Sequence, residues 1–120
     1  MDFMTAVNTC FLERYADFNG RSGRAEYWWF FLFNFVIAVV LNVLGAVAGI
    51  FAILAGLVSL ALLIPSIAVA IRRMHDIGKS GWWVLIGLVP IIGFLVLIYF
   101  FVQEGEAKTN DWGPEPAPRG

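Results

Sequence analysis

The sequence predicts an all-α integral membrane protein, with three transmembrane helices preceded by a short interfacial amphipathic helix, and three observations support this. Hydrophobic residues make up 60% of the 120-residue chain and charged residues only 14%, with a mean hydropathy of +0.79, far from the make-up of a soluble domain. No residue from Tyr27 to Ile71 is charged, and none from Gly81 to Val102. The charges gather instead in short segments beside tryptophans.

Before the first apolar run, Phe3, Val7, Phe11, Tyr15 and Phe18 recur at helical spacing, which predicts an amphipathic helix over residues 1–20 lying in the interface and ending at Asn19 and Gly20. Asp2, Glu13, Asp17 and Glu26 give this segment none of the basic character of a cleaved signal peptide, and neither terminus carries a lipidation motif. A transmembrane domain is expected over residues 21–102. The uncharged run of 45 residues from Tyr27 to Ile71 would make a straight helix of about 67 Å, more than twice the roughly 30 Å of a hydrocarbon core. It must fold back, and Gly45, Ala46, Ala48 and Gly49, preceded by Asn42, are the place for the turn. Spans over 27–44 and 50–71 result, with Pro65 bending the second. The 22 residues from Gly81 to Val102 fit a third span, kinked by Pro90 and Gly93. Residues 103–120, with Glu104, Glu106, Lys108, Asp111, Glu115 and three prolines, read as a polar, disordered tail.

Arg14, Arg21 and Arg24 precede the first span, and Arg72, Arg73 and Lys79 lie between the second and third. Three spans would place these six on one side and Lys108 and Arg119 on the other, so the positive-inside rule predicts a cytoplasmic N-terminus and an external C-terminus. Trp28, Trp29, Trp82 and Trp83 fall at span ends on the basic side, where amphipathic rings sit among headgroups.

The candidate interfacial motif comprises Arg21, Arg24, Glu26, Trp28, Arg72, Arg73, His75, Asp76, Lys79, Ser80, Trp82 and Trp83. Its ordinary use is anchoring: arginines snorkel and tryptophans fix depth. Glu26 stands at the mouth of a span, where an unpaired carboxylate is costly, so Arg72 or Arg73 is its expected partner. Gly78-Lys79-Ser80 echoes the end of a phosphate loop, but Arg73 occupies the position of that loop's first glycine and no strand precedes it. His75, Asp76 and Ser80 have the letters of a hydrolytic triad without the shielded pocket one needs. With a single histidine and a single cysteine, neither a metal site, a cofactor nor an internal disulfide is expected. Cys10 reads as a small apolar residue on a buried helix face. Asn34, Asn42, Ser59 and Ser66 are the polar residues of the first two spans, and no intramembrane acid or base offers a proton relay.

Phe18-Asn19-Gly20-Arg21, Arg24, Glu26-Tyr27-Trp28, Arg72-Arg73, His75-Asp76, Gly78, Ser80-Gly81-Trp82-Trp83, Pro90, Gly93, Asn110 and Gly113-Pro114 together resemble the domain-of-unknown-function 805 family (DUF805) of small bacterial inner-membrane proteins. The likeness runs from about Phe18 to Pro114, with Met74 and Trp112 standing where the family pattern has leucine and an aromatic such as tyrosine. The resemblance implies a bacterial inner membrane, no established activity, and weight on the two basic motifs.

Three functional classes remain. The leading one is a non-enzymatic scaffold or interaction protein, with a membrane-protein partner or a homo-oligomer as its context. The second is a binder of anionic phospholipid or another anionic ligand at the cytoplasmic interface, and the third is a small-solute transporter. A net charge of −1 argues against nucleic acid as a partner.

Overall fold

The computed structural model describes residues 2–114 and Pro116; Glu115 and Arg119, which contribute to the charge distribution of the tail, lie outside the described residues. The described chain is helical. A short helix α1 (Phe3–Asn8) runs into a π-helical turn (Thr9–Glu13), followed by α2 (Arg24–Val47), α3 (Gly49–Asp76), a 3-10 helix (Gly81–Leu88) and α4 (Ile92–Val102). Both α2 and α3 are long and apolar enough to cross a membrane. They form an antiparallel pair joined by one extended residue, Ala48 (φ −145°, ψ 130°), inside the stretch where the small residues predict a turn. Gly45 brings the two backbones together, since a Cβ there would stand 3.4 Å from the Ala52 nitrogen. Each helix outruns its expected span, and α3 carries Arg72, Arg73, His75 and Asp76 on its last turns.

Much of the α2–α3 surface is apolar and faces outward, with Phe35, Val39, Val43, Leu57 and Leu60 all exposed. A helix pair solvated by lipid needs this pattern. Pro65 sits inside α3 and has no N–H for the carbonyl four residues earlier, that of Ala61. The Tyr15 hydroxyl donates to that carbonyl, tying the N-terminal segment to the middle of α3.

That N-terminal segment is shorter in helix than the expected 1–20. Asp2 caps α1 by accepting from the Thr5 N–H at 2.8 Å. Ala6 and Cys10 are buried, and Phe3 packs edge-on against Trp29 at 5.8 Å. The helix stops at Glu13 because Arg14 gathers the next residues into a loop: its guanidinium donates to the Asp17 carboxylate (2.8 Å) and to the carbonyls of Asn19 (2.9 Å) and Arg21 (3.2 Å). Phe18, placed by its spacing on the apolar face, is therefore on an exposed loop. Cys10, Phe30, Leu62 and Val69 form a small core where this segment crosses α2 and α3.

In place of a kinked third span, residues 81–102 fold into a hairpin. The 3-10 helix and α4 lie against each other, with Trp83 against Phe100 (5.9 Å between ring centroids) and the Gly87 Cα side open to Leu97. At the tip Pro90 breaks the helix, Ile91 adopts φ +64°, a strained value for a β-branched residue, and Gly93 accepts close approach. A Cβ on Gly93 would lie 1.8 Å from the Ile86 carbonyl oxygen, so only glycine closes this turn. Both ends return to one level: Gly81 packs on Ile71, and the Phe101 ring packs on Tyr27 at 4.2 Å. At 2.0 Å per residue the 3-10 helix reaches about 16 Å, and at 1.5 Å the 11-residue α4 reaches about the same, half of a hydrocarbon core.

Candidate functional site: a buried ionic cluster at one end of the helix pair

The two basic motifs meet where the start of α2 and the end of α3 lie side by side, and the charges there point inward. Arg72 and Arg73 are wholly buried, as is Asp76, while Arg21 and Glu26 are 5% and 4% exposed. Three guanidinium groups face two buried carboxylates, with the half-buried Glu106 carboxylate at the edge.

Arg72 sits on the face of α3 that meets α2. Its Nη2 pairs with Glu26 Oε2 at 2.7 Å and its Nε donates to the Ser22 hydroxyl at 2.8 Å, while Nη1 donates to the carbonyls of Asp17 (2.8 Å) and Arg14 (3.2 Å). Ser22 in turn donates to Glu26 at 2.8 Å, and its backbone N–H donates to the Arg72 carbonyl at 3.1 Å. Glu26 therefore takes one of the two partners expected for it, and the second arginine goes elsewhere. Asp76 divides its carboxylate: Oδ2 accepts from Arg73 Nη1 at 2.9 Å, and Oδ1 accepts from Arg21 Nε at 3.1 Å, with the Arg21 Nη2 3.0 Å away in the same ion pair. Such charge-assisted pairs are the strong class of hydrogen bond.

The arginines also donate to backbone carbonyls at the end of α4 and in the chain beyond it. Arg73 donates to the Phe101 carbonyl (3.3 Å) and to that of Gln103; Arg21 donates to the carbonyls of Glu106, Lys108 and Gly113. The Glu106 N–H donates to the Asp76 carbonyl at 2.7 Å, and Asn110 donates to the His75 carbonyl and to Glu106 Oε1, each at 2.8 Å. Trp112 stacks on the His75 ring, 4.6 Å apart and 7° from parallel, and His75 Nδ1 lies 2.8 Å from the Gly20 carbonyl oxygen. Residues 103–114, expected as part of a disordered tail, are thus folded over the cluster, because the forks of Arg21 and Arg73 find oxygens there. Gly78, at φ +79°, passes so close to Glu106 that a Cβ would lie 2.5 Å from its carboxylate.

The rest of the motif rims the cluster. Trp28 stacks on Tyr27 (5.0 Å) and donates from Nε1 to the Phe101 carbonyl at 3.1 Å. Arg24, half-buried, donates to the Val102 carbonyl at 3.4 Å. Lys79 Nζ lies over the rings of Phe100 (5.1 Å) and Trp83 (5.4 Å), a cation–π arrangement. Ser80 accepts from the Trp82 N–H at 3.3 Å and so caps the 3-10 helix, and Trp82 is left 78% exposed. Cys10 touches the cluster from below, its thiol 3.6 Å from Glu26 Oε2. Burial pushes that thiol well above its ordinary value, and the Glu26 charge adds to the effect. At the cluster's outer edge burial would raise the Asp17 carboxyl, yet the hydrogen bonds from Arg14 and the Asn19 N–H outweigh it and hold the group below its ordinary 3.8.

The sequence motif brings together Arg21, Glu26, Arg72, Arg73, His75 and Asp76, and leaves Arg24, Trp28, Lys79, Ser80, Trp82 and Trp83 around them. Ser22, Glu106, Trp112 and the carbonyls of residues 101–113 belong to the same construction. The signal for them was the presence of Asn110 and Gly113 in the family resemblance, since a carbonyl has no letter of its own.

The proteins described as "Protein of unknown function (DUF805)" match residues 15–114 of this chain. The inner membrane protein YhaI of Escherichia coli (strain K12) is 42% identical over 106 residues, covering 88% of this chain and 90% of the relative. The inner membrane protein YhaH of the same strain is 39% identical over 110 residues, covering 88% and 91%. No solved structure gives a significant match. With nearly the whole chain aligned to both, and the matched region enclosing Arg21, Glu26, Arg72, Arg73 and Asp76, the protein is a member of the DUF805 family.

Proposed function

We propose that this protein is a non-enzymatic scaffold of the bacterial inner membrane, crossing it twice through α2 and α3, with the 81–102 hairpin entering and leaving on the cytoplasmic face. Its relatives are inner membrane proteins. The two-span arrangement is supported by the level at which Gly81 and Phe101 meet α3 and α2, and by the return of residues 103–113 to the ionic cluster. It replaces an external C-terminus with a cytoplasmic one, and it places every described lysine and arginine on one side, as the positive-inside rule favours.

The observation that carries the scaffold reading is the inward satisfaction of the cluster. Among the described residues no buried side-chain nitrogen or oxygen lacks a hydrogen-bond partner. Charges already consumed in this way hold elements together; a catalytic or transport site keeps reactive groups open to a substrate. The cluster clasps α2, α3 and the C-terminal segment into one cap, whose outer surface is the part open to partners.

Topology is tested with Ala107→Cys and Ala48→Cys, each in a Cys10→Ser background, and a membrane-impermeant thiol reagent. Ala48→Cys is expected to label in spheroplasts and Ala107→Cys only after permeabilisation; the reverse order overturns the reading. Native mass spectrometry from mild detergent is expected to retain protein partners, and solute flux in proteoliposomes would replace the scaffold with a transporter.

Anionic headgroups form a second reading, favoured by the rim. Lys79 and Arg24 sit beside shallow clefts, one lined by Ser80, Trp82, Trp83 and Ile86 and the other by Ala25, Trp28, Trp29 and Leu32. This reading moves the contacts outward, away from the buried Arg72 and Arg73. Lys79→Gln with Arg24→Gln is expected to lose bound phosphatidylglycerol or cardiolipin; unchanged lipid retention refutes it.

A further inference from the structure

We propose that a second copy of this chain docks on the groove between α2 and α3, and that the element it inserts is the tip of its 81–102 hairpin. This rests on the membrane placement under Proposed function. The groove encloses about 350 Å³ and its lining ends at Val69, so no residue of the chain's own hairpin fills it. Asn34, Asn42, Ser59 and Ser66, the polar residues of the two spans, all line it. Asn34 and Asn42 donate to the carbonyls four residues back, at 2.9 and 2.6 Å, so each uses its amide N–H₂ within its own helix. Lipid tails offer no hydrogen bonds to such groups.

The hairpin tip has the converse deficit. Pro90 brings no N–H, and among the described residues no backbone bond between elements reaches the Ile91 N–H or the Leu88 carbonyl. Leu88 and Ile91 are 80% and 76% exposed. Irregular backbone at membrane depth is tolerated where protein or a water-filled cavity covers it, and a tip facing lipid has neither.

Depth matches the two. From Gly81, level with Ile71, the tip lies at most about 16 Å down. Counting 1.5 Å per residue, Asn34 is about 10 Å below Tyr27 and Ser59 about 18 Å below Ile71, so the groove's polar groups bracket the tip. Each copy has one groove and one tip, and a two-fold axis satisfies both at once, giving a closed dimer. The occupant is therefore another copy of the chain, supplying the N–H and carbonyl that the groove lacks.

The test uses full-length chains in a Cys10→Ser background, co-expressed with tags of different size. One copy carries Asn34→Cys and the other Leu88→Cys, and membranes are oxidised with copper phenanthroline. At least about five times more mixed cross-linked dimer is expected than from Phe35→Cys with Leu88→Cys, because Phe35 is exposed outside the groove. Equal yields, or no dimer, overturn the proposal. Asn34→Leu with Ser59→Ala, compatible with lipid and hence with folding, is expected to shift the parent from dimer to monomer in native mass spectrometry; a persistent dimer also overturns it, as does a monomer carrying lipid in the parent. Alkaline carbonate extraction separates the two levels of argument. A chain released by carbonate fails the membrane placement itself, whereas a chain retained without cross-linking fails the docking alone.

Discussion

Asp76→Asn puts the ionic cluster to its most direct test. Asp76 is fully buried, and its two oxygens face two arginines, at 3.0 Å for Arg21 and 2.9 Å for Arg73. The amide keeps the shape and one acceptor oxygen, so either Arg21 or Arg73 then meets an N–H₂ group, donor against donor. The buried cluster loses one of its two fully engaged carboxylates. Removing one partner of a buried ion pair costs about 3–5 kcal/mol, and the shared carboxylate places this substitution at the upper end. For a domain near this size that corresponds to a fall in thermal midpoint of about 20 °C. Glu26→Gln is the internal comparison. Arg72 keeps Ser22 and two carbonyls as partners, so its loss is expected to be smaller. Thermal unfolding in mild detergent, followed by tryptophan fluorescence, reports both. A midpoint for Asp76→Asn within about 2 °C of the parent, equivalent to under 1 kcal/mol, would refute the view that buried charge clasps the cap.

Gly93→Ala is expected to open the 81–102 hairpin, since the new methyl would overlap the Ile86 carbonyl; limited proteolysis near Pro90 in detergent should accelerate by at least tenfold. Tyr15→Phe removes the donor to the Ala61 carbonyl that Pro65 leaves open and is expected to lower stability by about 1 kcal/mol, measured by chemical unfolding in detergent. Cys10 is buried with a raised thiol value, so folded protein should resist maleimide at neutral pH and react only on unfolding. Because the folded value is the higher one, that group's contribution is intact below its ordinary 9.0 and is lost as pH climbs beyond it; Cys10→Ala should lack this alkaline loss in a pH series of thermal midpoints.

The long helices and their turn are legible in the sequence because hydropathy and the run without charge depend on residue type alone. The Glu26 partner was legible for a related reason: a carboxylate at a span's mouth has few places to go. What escaped was carried by backbone. Residues 81–102 have the length and hydropathy of a span, and a hairpin is distinguished from a kink by contacts such as Gly93 on the Ile86 carbonyl and Trp83 on Phe100. The tail's polar residues and prolines argue against a packed core, yet its contribution is a row of carbonyls from Phe101 to Gly113, which every residue possesses. The helical spacing of Phe11, Tyr15 and Phe18 was real but lost to Arg14, whose fork organises a loop there instead.

Arg21 is completed by carbonyls 85 to 92 residues away in the chain, which dates its burial. On the topology proposed above, those carbonyls are made only after α2 and α3, so Arg21 and Arg73 would stand as hydrated cations on the cytoplasmic side while the two helices insert. In that interval they can act as the retention signal that fixes which way the hairpin inserts. Only when Gly113 emerges can the same guanidiniums leave water and lock the cap. One set of arginines thus serves two successive purposes, and a chain truncated before residue 103 should insert in the correct direction while failing to hold its fold.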